Sequence, residues 1–264
     1  MEIGCPLEAR ELYERALIIK ERVDTLMNLG RANLNLGDAA KARRIFERVL
    51  IINEKQFGPH HPDVAATLTN LGSACGALGD FATAKGLVER ALIIKEKHFG
   101  PNDTDIAITL MTLGSLCEKL GGAARAKGLL ERALSIYERN FGLNHWEVAN
   151  VLVNLGLACN SLGDAARAKG LFERALIIDE THFGLHHPNV ANGLVNLSSA
   201  CFEIGDAFRS KELLERALII HEKHSGPHHE EVASVLEKLG IVCDKLGDAA
   251  RAKEFRKRAS LTRH

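Results

Sequence analysis

Small and apolar residues recur along this chain on a helical period that is interrupted at regular intervals. Leu68, Leu71, Gly72 and Cys75 follow the spacing i, i+3, i+4, i+7, which sets all four on one side of an α-helix. Ala84, Val88 and Ala91 do the same further on, with Leu92 beside them. Two kinds of break separate such stretches. Leu-Gly-Asp, as at Gly79 and Asp80, ends one helix with glycine and caps the next with a carboxylate. Phe-Gly-Pro-His-His-Pro, from Phe57 to Pro62, has Gly58 as a helix stop and Pro62 at a first helical position. The pattern predicts two helices per unit, near 63–78 and 81–98 in the unit just described.

The whole pattern then repeats. Gly30, Gly72, Gly114, Gly156, Ser198 and Gly240 stand 42 residues apart, and segments of the Glu-Arg-Ala-Leu type start at Glu47, Glu89, Glu131, Glu173, Glu215 and Lys257. A fixed period of this size predicts a solenoid, in which each unit buries its apolar face only by stacking on its neighbours. Glycine and alanine recur where helices must cross closely, since a larger side chain there overpacks by roughly 1–3 kcal/mol.

Leu71-Gly72, Ala84, Val88 and Ala91, repeated as Leu155-Gly156, Ala168, Phe172 and Ala175, resemble the Leu-Gly…Ala…Phe…Ala skeleton of the tetratricopeptide repeat. The longer unit, with ERALIIKEKHFGPNDTDIA, is similar to the 42-residue variety found in kinesin light chains. Armadillo and HEAT repeats have periods of similar length, but armadillo units contain three helices and neither class explains alanine at both marked positions of the second helix. The resemblance covers nearly the whole chain. It implies an all-α fold, a right-handed superhelical α-solenoid of stacked antiparallel helix pairs. Residues 1–22 are then an N-terminal half repeat, a lone second helix from Pro6 to Lys20 carrying Ala9, Tyr13 and Ala16, and residues 23–264 are six tandem helix pairs. The half repeat reads as cut from, or joined to, something upstream. Arg251, Lys253, Arg256, Lys257, Arg258 and Arg263 read as a polar C-terminal cap.

Composition narrows the partners. Lys plus Arg and Asp plus Glu each number 34, so no net field draws the chain to nucleic acid or to an anionic membrane. No stretch approaches the roughly 18 apolar residues of a membrane span, and the N-terminus has no basic start, so a cytoplasmic protein is expected. Five of the six cysteines, Cys75, Cys117, Cys159, Cys201 and Cys243, occupy one repeat position. Adjacent helices about 8–10 Å apart hold such residues beyond disulfide reach. Buried thiols in a reducing compartment are expected.

On the first helix of each unit, the position before the recurrent leucine faces away from the packed side. It holds Asn28, Asn70, Asn154 and Asn196, with Thr112 and Lys238 as exceptions. Asparagine costs roughly 0.5 kcal/mol against alanine in a helix, so its recurrence asks for another reason. The resemblance implies that the first helices line a concave groove in which these asparagines contact the main chain of a bound peptide. Met27, Met111, Val153, Leu157, Val195, Phe202 and Ile241 are expected on the same face, to hold ligand side chains. Arg31, Lys119, Lys238 and Lys245 are its cations, interspersed with Glu118, Glu203, Glu237 and Asp244. That mixture points to an internal peptide segment rather than a terminal carboxylate.

Eleven of the twelve histidines lie in or near the linkers. His182 with His186, and His224 with His228, are spaced for a metal but lack a fixed third ligand, so no metal is expected. Protonation near pH 6 would make this edge positive and alter the linkers. Trp146 is either an exposed anchor for a partner or a local staple over a helix start. Gly86, Gly128 and Gly170 lie mid-helix, where close approach of another backbone would explain them. No nucleophile, base and orienter recur together and no phosphate-binding glycine motif is present, so neither enzyme nor cofactor is expected. The leading expectation is a scaffold that binds a peptide segment in its groove. A regulatory arm of a larger receptor or signalling ATPase, and a structural array that self-associates through its N-terminal end, remain open beside it.

Overall fold

A computed structural model describes residues 22–262. The half-repeat helix expected at Pro6–Lys20 lies outside them. Among the described residues every regular element is an α-helix. Helix α1 runs over 22–35, followed by α2 (Ala39–Phe57), α3 (Pro62–Ala77), α4 (Phe81–Phe99), α5 (Thr104–Lys119), α6 (Ala123–Phe141), α7 (Trp146–Ser161), α8 (Ala165–Phe183), α9 (Pro188–Glu203), α10 (Ala207–Ser225), α11 (Glu230–Lys245) and α12 (Ala249–Thr262). Odd-numbered helices are the first of each repeat and even-numbered helices the second. Two rods per repeat exclude the three-helix armadillo arrangement, and α3 and α4 fall within a residue of the expected bounds.

The chain divides into two compact units, one ending at Gly121 and one starting at Gly122. In the first, α3 packs on α2 and α4, α4 packs on α5, and α3 touches α5. In the second, α7 packs on α6 and α8, α9 on α8 and α10, and α11 on α10 and α12, with α7 also touching α9. Helices α3, α7, α9 and α11 therefore each lie between two second helices. The close crossing falls where the small residues recur. A Cβ added to Gly156 would stand 2.5 Å from the Phe172 ring, and one on Gly72 would stand 2.5 Å from Val88. Ala84, Ala91 and Ala168 are fully enclosed, and the five cysteines are free thiols buried in the same layer.

Punctuation follows local chemistry. Asp38, Asp80, Asp164, Asp206 and Asp248 each accept a hydrogen bond from the backbone N–H three residues on, which satisfies a donor the helix cannot use itself. Gly79 before Asp80 has φ +83°, a conformation closed to ordinary side chains. The histidine linkers work differently. Phe57, Phe141 and Phe183, each the last residue of its helix, stack on His61, His145 and His187 with ring centroids about 4.5 Å apart. Nδ1 of each of these histidines, and of His229, accepts the N–H of the residue two further on, so the imidazole is the N-cap of the next helix. Asp103 takes this place in α5.

Two expectations about single residues resolve here. The Trp146 ring opens α7 between His145 and His182, at 5.7 and 6.4 Å, so it staples the linker before α7 to the last turn of α8. Gly86, Gly128 and Gly170 do not mark a close approach. They are exposed, and a Cβ on any of them would meet nothing within 4 Å.

Candidate ligand-binding surface

The outward faces of the first helices carry the amides that the spacing singled out. Asn28 is exposed, and Asn70, Asn154 and Asn196 are half-buried. Nδ2 of Asn70 donates to the Ala66 carbonyl at 3.0 Å, and Nδ2 of Asn154 to the Asn150 carbonyl at 2.9 Å. Tying the donor end back to its own helix fixes the side chain and leaves Oδ1 as an oriented acceptor. Thr112 bonds in the same way, to Ile108, so the departure in the third repeat keeps the tether and loses the amide.

Of the apolar positions expected beside these amides, Met111, Val153, Val195 and Phe202 are half-buried and Leu157 is exposed. Met27 departs from the expectation. It is buried, with its sulfur 3.9 Å from Thr67 Oγ1, because α3 packs over it. Phe202 is brought together with Lys238 and Ile241 around a cleft of about 170 Å³, floored by Ser210 and Leu214 of α10. Val153, Asn154 and Leu157 share α7, Val195 and Asn196 share α9, and Asn28, Asn70 and Met111 stand on α1, α3 and α5.

A second set of side chains was not singled out by the hydrophobic pattern. Asn53, Lys95, Tyr137, Asp179 and His221 occupy one position of the second helices, 42 residues apart, and all are buried. Asn53, Lys95 and His221 each meet the start of the following first helix. Asn53 Nδ2 donates to Thr67 Oγ1 at 3.0 Å, and Lys95 Nζ donates to the Asp105 carbonyl at 3.1 Å. His221 Nδ1 lies 3.2 Å from Glu231 Oε2. Burial lowers the proton affinity of Lys95, opposed by Asp105 and Asp103, and lowers that of His221, opposed by Glu231. It raises that of Asp179, which His187 and His182 pull back.

Two of these residues, Asn53 and His221, line clefts beside the first helices. Asn53 belongs to a cleft of about 520 Å³ whose wall includes Asn28, Arg31 and Asp63. His221 belongs to one of about 410 Å³ between α9 and α11. The first helices thus carry tethered amides and partly covered apolar groups, and clefts lined by polar side chains lie beside them within each unit. Among the described residues no three His, Cys, Asp or Glu side chains are grouped to hold a metal ion, and no helix is long and apolar enough to cross a membrane.

The sequence matches the tetratricopeptide repeat family over residues 21–97, 63–139, 105–181, 147–208 and 189–260. No curated protein matches the chain. Among solved structures, BtubC (BKLC) from P. vanneervenii is 24% identical with a TM-score of 0.69, over 86% of this chain and 88% of that one. A putative kinesin light chain from Podospora anserina with nearly identical TPR-like repeats is 23% identical with a TM-score of 0.65, over 76% of this chain and 96% of that one. A Rap protein complexed with Competence and Sporulation Factor is 14% identical with a TM-score of 0.62, over 92% of this chain and 76% of that one. At these identities the likeness is one of fold.

Proposed function

Because the chain belongs to the tetratricopeptide repeat family, we propose that it is a protein-interaction scaffold of the cytoplasm that holds an extended polypeptide segment across the outward faces of its first helices. The observation that carries this reading is the tethered amide column. Asn70 and Asn154 have their donors tied to their own helices, and Asn196 takes the same repeat position. An acceptor fixed in this way reads a main-chain N–H irrespective of ligand sequence, while neighbouring apolar groups and clefts of the same unit discriminate between side chains. The fold is compatible with this use, since a Rap protein of similar fold is known in complex with Competence and Sporulation Factor. Proteins of this family are typically scaffolds without catalysis, and the proposal gives the chain no reaction of its own.

The test uses a peptide selected from a displayed random library on the folded, full-length protein. Each amide contributes on the order of 1 kcal/mol to a hydrogen-bonded contact, so the Asn154→Ala, Asn196→Ala double variant should bind the selected peptide roughly tenfold or more weakly with its melting curve unchanged. Unaltered affinity would remove the amide column from the binding surface.

A further inference from the structure

The cleft between α9 and α11 differs from its counterpart in the first unit in the charges that line it. Its wall is Asn192 and Val195 of α9, His221 of α10, the N-cap His229, and Glu230, Glu231, Ser234 and Val235 of α11. Two carboxylates line it and no lysine or arginine does. In the first unit, the Asn53 cleft holds Arg31 together with Asp24 and Asp63, so its acids already have a cation among them. There the floor amide also has a donor bond, to Thr67.

The floor of the α9–α11 cleft is an imidazole in place of that amide, whose Oδ1 is itself buried without a hydrogen-bond partner. His221 is 1% exposed, and its Nδ1 has no aligned hydrogen bond although Glu231 Oε2 is 3.2 Å away. The same carboxylate oxygen is 3.5 Å from His229 Nδ1 and accepts weakly from Ser225 Oγ at 3.5 Å. Burial favours the neutral imidazole at His221, so the net charge of the cleft is set by Glu230 and Glu231. A buried imidazole whose Nδ1 has no aligned partner, beside two carboxylates with no lysine or arginine in the cleft wall, makes a site shaped for a donor-rich positive group.

We propose that this cleft seats a basic side chain, arginine or lysine, of the polypeptide that the scaffold holds. The inference rests on the peptide-binding reading of the outward face and adds to it the chemistry of one ligand position. A guanidinium or ammonium entering between α9 and α11 donates to Glu231 and Glu230, and its remaining N–H groups reach Oδ1 of Asn192. The column Asn53, Lys95, Tyr137, Asp179 and His221 then explains itself as the place where otherwise uniform repeats differ in what they admit. Lys95 already fills its own site with a cation bonded to the Asp105 carbonyl, whereas the His221 site leaves that role to the ligand.

The experiment is a titration of the isotopically labelled, full-length protein with four blocked pentapeptides, Ala-Ala-Xaa-Ala-Ala with arginine, lysine, alanine or glutamate at the centre, followed by NMR. The arginine and lysine peptides should shift the His221 ring signals and the α9 and α11 amides, and bind at least tenfold more tightly than the alanine and glutamate peptides. Glu231→Gln and, separately, Glu230→Gln should each weaken the arginine peptide several-fold, and added salt should do the same to wild type. Using two variants guards against a folding defect in either one, which the amide spectrum would reveal. Equal shifts from all four peptides along the Asn154 and Asn196 faces would overturn the basic seat and leave the scaffold reading standing. Shifts mapping outside the cleft, or no shift from any peptide at millimolar concentration, would overturn the basic seat as well, and the displayed-library test would then judge the scaffold independently.

Discussion

Arg174 Nη1 lies 2.6 Å from Glu138 Oε1, while Nη2 of the same guanidinium donates to the Leu143 carbonyl at 2.8 Å. One side chain on α8 thereby joins the last turn of α6 to the linker that follows it. The arrangement recurs. Arg90 pairs with Glu54 at 2.7 Å and with the Pro59 carbonyl at 3.1 Å, and Arg216 pairs with Glu180 at 2.6 Å and reaches the Leu185 carbonyl. Simple exposed ion pairs contribute little, because water screens them and long side chains lose freedom on pairing. In Arg174 and Arg216 the carbonyl bond changes this, since it uses the second arm of the planar fork that arginine supplies, whereas Nη2 of Arg90 makes both bonds. Arg174→Lys keeps the charge and loses one arm, so it should lower stability to urea by about 0.5–1 kcal/mol. Arg174→Ala should cost somewhat more, and part of its cost should disappear in high salt. Equal stability of the lysine variant and wild type would show that the carbonyl arm contributes nothing.

Glycines of two kinds give opposite expectations. Gly156 faces the Phe172 ring at a distance no Cβ tolerates, so Gly156→Ala forces the ring or the helix to move and should destabilise the protein by about 1–3 kcal/mol. Gly170 has helical backbone and open space around it. Gly170→Ala should therefore stabilise by about 1 kcal/mol, through reduced freedom of the unfolded chain. Melting temperatures of the two variants, moving in opposite directions, check both. A loss of stability in Gly170→Ala would show that its surroundings are not open.

The contrast between those glycines also shows what the sequence could carry. Helix pairing was legible because the residues that enforce it, Gly72, Ala84, Ala91 and their counterparts, are small in nearly every repeat, and close packing leaves such positions few alternatives. Polar burial was not legible, because it arises between repeats. Lys95 follows Ile93 and Ile94 and reads as a solvated helix end, yet the next first helix covers Lys95 to 6% exposure while Ile93 is left 67% exposed. The available signal was the column itself, since Asn53, Lys95, Tyr137, Asp179 and His221 vary in chemistry where neighbouring columns do not. The capping histidines had a similar signal, in that Asp103 stands where His61, His145, His187 and His229 stand and is an ordinary N-cap residue.

That equivalence makes the caps testable. His187 Nδ1 accepts the Asn189 N–H at 3.2 Å, and the ring stacks on Phe183. Losing an N-cap acceptor typically costs about 1 kcal/mol. His187→Ala should therefore lower stability by about 1 kcal/mol or slightly more, since the stack goes with it, whereas His187→Asp should recover most of the loss by capping as Asp103 does. The comparison is made by urea unfolding of the three proteins at pH 7. If the aspartate variant were no better than alanine, stacking rather than capping would be the role of the imidazole.

The buried column predicts a stability that depends on pH in two opposite senses. Burial raises the Asp179 carboxyl above its ordinary value of 3.8, partly offset by His187 and His182. Between that value and its raised folded one, the folded chain holds a proton that the unfolded chain has released, so stability falls as pH rises through the window and the ionised group is a net cost at neutral pH. Asp179→Asn should melt higher than wild type at pH 7, with the gap closing once the pH drops below 3.8, where both forms are neutral. His221 behaves the other way round. Burial depresses it below its ordinary value of 6.5 against the pull of Glu231, with His229 and His224 adding to the depression. The unfolded chain takes up the proton first, so this contribution to stability is present above pH 6.5 and is lost as the pH falls through the depressed value. His221→Gln should flatten the decline of melting temperature between neutral pH and the mildly acidic range. An Asp179→Asn gap that persists unchanged from pH 7 to below 3.8 would assign the effect to packing rather than charge.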